Sequence, residues 1–172
     1  MRILGPYKHF MNYQQQELQK AIEFVRRTFA DKRILLDFST ESVRHLDKLL
    51  DDEFKKGKLK NPDGGFAKFQ GLIMIGISGY LAQVILKNAP GSTLSINEDD
   101  KNWFINFTIT HADNRSLQPG LQVLKRVQSG SDAALYSYVI AGIKYFNNPG
   151  SQMPDQHKGV ETKKQWWKIW KG

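Results

Sequence analysis

Apolar residues recur at three- and four-residue steps along two stretches in the first third of the chain. Between residues 11 and 32 they alternate with Gln, Lys, Glu and Arg. This spacing is typical of an amphipathic helix that buries one face. The same spacing predicts a second helix over residues 40–56. Ser39, just before it, is a good N-cap because its hydroxyl can accept from a free backbone N–H of the first turn.

The stretch from residue 66 to residue 88 is apolar on nearly every face and comes after a turn-rich loop over residues 57–65. A helix that is hydrophobic all round usually lies at the centre of a fold. Gly71, Gly76 and Gly79 weaken this helix, so we expect them to allow a neighbouring element to approach closely. The sequence therefore predicts a buried central helix.

Beyond this helix the apolar positions alternate instead of keeping a helical period. Leu94 and Ile96 flank a single serine, and an acidic turn over residues 98–100 comes next. From Trp103 to Ile109 the apolar residues again fall at every second position. The pattern predicts a β-hairpin whose second strand begins at Trp103.

The rest of the pattern predicts two shorter helices and then a loss of order. One helix begins at Pro119, and the last runs from Asp132 to Phe146. The fold class predicted is α+β, with helices packed around a central apolar helix and a small antiparallel β-sheet. We expect a single domain over residues 1–146, and over residues 147–172 a linker and a basic, Trp-rich tail.

Two short motifs resemble a family of bacterial domains of unknown function. The run LDFS-x-ES over residues 36–42 resembles the start of that family, and GYLAQVI over residues 79–85 resembles its apolar helix. The resemblance covers about residues 35–146 and implies the same order of elements. The family has an acidic residue where this chain has Gln83, which puts an acid/base role at that position in doubt. The resemblance therefore implies a fold order and no activity.

The amino-acid composition excludes several kinds of site and indicates which kinds of partner the chain could bind. The chain has 25 Lys and Arg against 17 Asp and Glu, a net charge of +8, and no cysteine. Disulfides, Cys-ligated zinc, iron–sulfur clusters and thiol catalysis are therefore excluded. The excess of positive charge lies in residues 1–33 and beyond residue 146. Such basic ends either attract nucleic acid, anionic lipid or an acidic protein, or form a solvated surface. The N-terminus lacks the apolar region typical of a secretory signal, so the predicted location is the cytoplasm.

One polar cluster is a weak candidate for catalysis. His111, Asp113 and Arg115 alternate after the predicted strand, and in an extended chain their side chains point the same way. They suit a small hydrolase or transferase, or simply a polar turn. Motifs such as G-x-S-x-G, H-E-x-x-H and the P-loop are absent from the sequence. The four histidines are widely spaced, so we predict neither a metal site nor a cofactor.

The tail is the most distinctive binding candidate. Trp166, Trp167 and Trp170 fall within five residues, with Lys168 among them. Tryptophan and lysine together suit a membrane–water interface. The same residues could dock on this domain, on a second copy or on a protein partner, or contact nucleic acid. Three exposed tryptophans favour aggregation, so we expect another surface to cover them.

Two residues inside predicted helices are open to more than one interpretation. Tyr80, with other tyrosines, could line a binding groove near the central helix or belong to the core. Asp47 could lie on a solvated helix face, or it could reach inward to hold Tyr80 or a basic residue.

The sequence thus favours a non-enzymatic protein-interaction module of a bacterial cytoplasm, binding through its hairpin face or its tail. One alternative is a small hydrolase or transferase that uses the His/Asp/Arg cluster. Another is a peripheral membrane or nucleic-acid binder that uses its basic ends.

Overall fold

Helices and short strands alternate along residues 12–152, the part of the chain that the computed structural model describes. The helices are α1 (Tyr13–Ala30), α2 (Val43–Glu53), α3 (Gly65–Lys68), α4 (Gln70–Asn88), α5 (Trp103–Asn106), α6 (Pro119–Ser129) and α7 (Leu135–Asn147), with a 3₁₀ turn at Gly130–Ala133. The strands are β1 (Phe54–Lys55), β2 (Lys58–Leu59), β3 (Ser92–Ser95), β4 (Thr108–His111) and β5 (Ser116–Leu117). The predicted α+β class is confirmed.

Helix α4 is the buried centre that the sequence predicts. It packs against α1, α6 and α7, and its closest neighbour is α1. A Cβ added at Gly76 would lie 2.3 Å from the backbone oxygen of Ala21, and one at Gly79 would lie 2.7 Å from Leu18. These glycines therefore allow α1 to approach α4, as expected. Among the described residues, α4 alone is long and apolar enough to cross a membrane, but 67% of its apolar window is buried inside the protein.

The predicted helix over residues 66–88 is interrupted near its start. Phe69 has φ −120° and ψ 15°, outside the α-helical region, so the short α3 ends there and α4 begins anew. The break leaves the Phe69 side chain 51% exposed, although the helical pattern places it in the core.

The start of the second hairpin strand was wrongly predicted at Trp103. Residues 103–106 instead form α5, and β4 begins at Thr108. The physical reason is Asp100, whose carboxylate accepts hydrogen bonds at 2.8 Å from the Asn102 backbone N–H and from the Asn106 side-chain amide. These bonds fold the segment into one helical turn.

The sheet itself is antiparallel in the order β3-β4-β5. Leu94 in β3 pairs with Ile109 in β4, and Ile109 pairs in turn with Leu117 in β5. Ile109 and Leu117 are fully buried. The pairing of the two predicted hairpin strands is therefore present, and the buried residues of the sheet are Ile109 in β4 and Leu117 in β5.

The second predicted helix is shorter than residues 40–56. It begins at Val43, and the hydroxyl of Ser39 accepts from the Ser42 N–H at 3.2 Å in the turn that precedes it. At its other end, Phe54 leaves the helix and pairs with Leu59 in a small antiparallel hairpin.

Candidate functional site

His111, Asp113 and Arg115 come together in the turn that joins β4 to β5, and not along an extended strand as their alternation predicts. The His111 N–H donates to the Arg115 backbone oxygen at 2.8 Å, which closes the turn. The Arg115 guanidinium lies 2.6 Å from one Asp113 oxygen, and His111 Nδ1 lies 3.0 Å from the other. The hydrogen bond from Arg115 holds the pKa of the Asp113 carboxyl well below its usual range. The three side chains therefore form one polar cluster.

The main partner of Arg115 beyond Asp113 is the last turn of α7. Its guanidinium donates to the backbone oxygens of Tyr145, Phe146 (2.9 Å) and Asn148 (3.3 Å). Carbonyls at the end of a helix have no partner within the helix, and that end carries partial negative charge. Arg115 is thus a cap for the C-terminus of α7.

In the described part of the chain, His111 is not hydrogen-bonded to a serine that it could activate. Its ring stacks on Phe146 with the ring centroids 5.5 Å apart. The sheet register places Ser92 opposite it, but the Ser92 Oγ is buried and has no hydrogen-bond partner in the described part of the chain. An activated nucleophile needs a hydrogen bond to its base, and Ser92 and His111 do not form one.

Asp47 reaches inward to a basic residue, which is one of the two interpretations left open by the sequence. Its carboxylate accepts from Arg126 Nε at 2.8 Å and from the backbone N–H groups of Leu135 (2.8 Å) and Tyr136 (2.9 Å). Arg126, only 3% exposed at its side chain, also lies 2.7 Å from Asp51. Asp47 therefore caps the N-terminus of α7 and neutralises a buried arginine.

Arg126 itself was missed as a site residue. It lies three positions after Val123 on α6, and both side chains are buried. An arginine at a helical spacing of three from a core valine is a usable sequence signal, because buried charges occur almost only in pairs.

Tyr80 lies in the core and not in a groove. It is fully buried, and its hydroxyl accepts from the Phe38 N–H at 2.7 Å and lies 2.6 Å from the Ser42 Oγ. The Phe38 ring stacks on it at 4.8 Å, and burial raises the pKa of the Tyr80 hydroxyl. Tyr80 thus anchors the loop that carries the LDFS motif.

The other predicted binding residues lie beyond the described range. Trp166, Trp167, Trp170 and Lys168 all fall after residue 152. Their role as a docking segment stays a prediction.

An apolar cavity of about 340 Å³, which we call the aromatic groove, opens between α1, the end of α2 and α3. Its principal apolar walls are Phe24, Phe29, Leu49, Phe66, Phe69 and Ile73. The rings of Phe24 and Phe69 lie 5.4 Å apart at an angle of 48°. Lys32 and Glu53 are the charged residues of its lining. The volume is at the lower end for a small-ligand pocket and suits one or two bulky side chains.

The sequence did not predict this groove, because it depends on the break at Phe69. In an unbroken helix from residue 66, Phe69 belongs to the buried stripe. The sequence signal available for the groove was the pair of phenylalanines, Phe66 and Phe69, near the start of that helix.

A second cavity of about 440 Å³ is polar and lies between α2 and α7. Its charges are paired with one another or with close neighbours. Lys48 lies 3.2 Å from Asp52, Asp51 contacts Arg126, and the Arg44 guanidinium lies 3.5 Å above the Tyr136 ring. Because these charges already neutralise each other, the cavity favours packing between helices over ligand binding.

Metal ligands do not converge in the described part of the chain. Between residues 12 and 152, no group of three or more His, Asp or Glu side chains could hold a metal ion. The site with binding geometry is therefore the aromatic groove.

Three comparisons with known proteins give no match. The chain matches no protein-family model, no curated protein and no solved structure. The resemblance to the bacterial family stays a prediction, and function is inferred from the geometry of the site.

Proposed function

We propose that the chain is a non-enzymatic protein-interaction module of a bacterial cytoplasm that holds a bulky apolar side chain of a polypeptide segment in the aromatic groove. The observation that supports this is Phe69, which is half exposed at the mouth of a concave apolar site. Aromatic side chains in such pockets supply most of the binding energy in many protein interfaces.

The lining suggests the character of the bound segment. Phe24 and Phe69 offer a tilted pair of rings, which suits an aromatic or large aliphatic side chain. Lys32 and Glu53 supply one charge of each sign. The favoured ligand is thus a short segment with a bulky apolar residue beside a charged one.

Affinity capture with three full-length baits tests the proposal. Phe69→Lys places a charge in the groove, and we expect it to weaken retention of a bound protein by about tenfold or more. The control is Ile140→Lys, because Ile140 is also an exposed apolar residue but lies on α7 outside the groove. We expect Ile140→Lys to retain the partner as wild type does. A partner retained equally by all three baits would rule out the groove as the binding site.

The hydrolase or transferase alternative has weaker support. Arg115 holds the end of α7, and neither His111 nor Asp113 lines the aromatic groove or the polar cavity. The third candidate, a membrane or nucleic-acid binder, uses basic ends, of which the N-terminal one lies mostly within the described residues and the C-terminal one beyond them. A steep fall of affinity with salt on titration with nucleic acid or anionic vesicles would favour it.

A further inference from the structure

We propose that the aromatic groove is occupied in the isolated protein by a tryptophan of the same chain's tail, residues 165–171. This inference depends on the proposed function, because it names the segment that the groove holds. It makes the tail a competitor of any partner protein for one site.

Chemical complementarity supports this occupant. The groove walls are aromatic and aliphatic, and aromatic rings pack well in tilted or edge-to-face pairs. The tail offers Trp166, Trp167 and Trp170 with lysines on either side. Glu53 lies in the groove lining and has no ion-pair partner within the described residues. Its carboxylate can accept from an indole N–H or pair with a tail lysine.

The length of the intervening chain permits the contact. Trp166 lies fourteen positions beyond Gln152, the last described residue. An extended chain of that length reaches about 46 Å. A body of about 140 residues has a radius of gyration of about 14 Å. The tail is therefore long enough to reach the groove from any point where it leaves the body.

Tethering also favours the chain's own tail over that of a second copy. A covalent connection of this length gives its far end an effective concentration of the order of millimolar at the body. At micromolar protein, the groove therefore meets its own tail far more often than that of another molecule. Docking buries two apolar surfaces that otherwise face water, the tryptophans and Phe69.

Disulfide trapping in the full chain tests the inference, because the natural sequence contains no cysteine. The test variant carries Lys32→Cys in the groove lining and Lys168→Cys in the tail. The matched control carries Thr93→Cys, an exposed position on β3, with the same Lys168→Cys. After mild oxidation at about 1 μM, we expect an internally cross-linked monomer from the test variant, with about tenfold or more yield over the control.

Adding Phe69→Lys to the test variant should remove most of the cross-link, and replacing the three tail tryptophans with serine should do the same. Equal yields from the groove and β3 positions overturn the inference, because the tail then has no preferred site. A cross-linked dimer as the main product overturns it as well, because the occupant is then the tail of a second copy.

Partner capture separates this inference from the proposed function. If the tail occupies the groove, the variant with three serines should capture more partner than wild type, by several fold. If capture depends on Phe69 but no internal cross-link forms, the tail inference fails and the proposed function stands. If Phe69→Lys changes neither capture nor cross-linking, both fail.

Discussion

Asp47 shows how one buried carboxylate can connect several elements. It lies on α2, neutralises Arg126 of α6 and accepts from the first two N–H groups of α7. The first N–H groups of a helix have no partner within the helix, and that end carries partial positive charge. Removing this one side chain therefore leaves the start of α7 without its cap, and leaves Arg126 with Asp51 and the Asp47 backbone oxygen.

The first prediction concerns that side chain. Asp47→Ala should lower the free energy of unfolding by about 2–4 kcal/mol, because it removes the acceptor of two α7 N–H groups and one of the two carboxylates that pair with Arg126. Asp52→Ala on the same helix removes an exposed pair with Lys48 and should cost about 1 kcal/mol or less. Urea unfolding of both variants against wild type measures the two values. Equal costs would show that Asp47 contributes no more than a surface charge.

The second prediction concerns pH and Asp113. Because Arg115 lowers the pKa of this carboxyl in the folded protein, the ionised form stabilises the fold above the ordinary pKa of about 3.9. That contribution is lost as the pH falls through the lower pKa of the folded state. The difference in Tm between wild type and Asp113→Asn should be constant from about pH 5 to 8 and shrink below about pH 4. A difference that stays constant down to about pH 2 would contradict this assignment.

At the scale of elements, the tightest contact is the one between α1 and α4. Gly76 lies directly against the backbone of α1, with the Ala21 oxygen where a side chain would be. Backbone atoms cannot move aside as the end of a flexible side chain can, so the two helices have to separate to admit a methyl group.

The third prediction concerns that contact. Gly76→Ala should destabilise the protein by about 1–3 kcal/mol or more, although alanine is the better helix former. Gly65→Ala is the matched control in α3, where an added Cβ meets nothing within 4 Å. It should be neutral or stabilise by up to about 1 kcal/mol. Thermal unfolding of the two variants measures the change in stability relative to wild type. A Gly76→Ala variant as stable as wild type would show that α1 and α4 can separate at no cost in free energy.

The individual helices and strands show which parts of the fold can be predicted from the sequence alone. Periodicity predicts α1, the central helix and a hairpin that includes Leu94 and Ile109, because each depends on which residues must be buried. The turn at α5 depends on Asp100, a local hydrogen-bonding choice that leaves the alternating pattern unchanged. His111, Asp113 and Arg115 meet because the chain turns between β4 and β5, which the polar character of that stretch indicates and its alternation does not. Neither pattern carries information about the end of α7, about thirty residues away along the chain, where Arg115 binds.

At the scale of the whole molecule, α4 connects the other helices into one core. Ile77 and Leu81 are fully buried in it, and α1, α6 and α7 all pack on this helix. Because α1, α6 and α7 all bury their apolar faces against α4, a substitution that disturbs the packing of α4 should destabilise all three helices together.

The fourth prediction tests this coupling. Ile77→Ala should lower the free energy of unfolding by about 2–5 kcal/mol, since it leaves a cavity in the centre of the core. Hydrogen exchange should show the slow amides of α1 and α7 accelerating by the same factor. Leu72→Ala, at a partly exposed position of the same helix, should have a smaller effect. Acceleration of one outer helix alone would show that the body unfolds in separate parts.

The capped last turn of α7 fixes the point at which the polypeptide leaves the body. Arg115 donates hydrogen bonds to the carbonyls of Phe146 and Asn148, so the end of α7, from which the chain continues, has a fixed position. The distance that the segment after residue 152 can span is therefore set by its number of residues. Insertions or deletions after residue 152 should therefore change the effective concentration of the tail at the protein surface, and the yield of the cross-link between positions 32 and 168 measures that change.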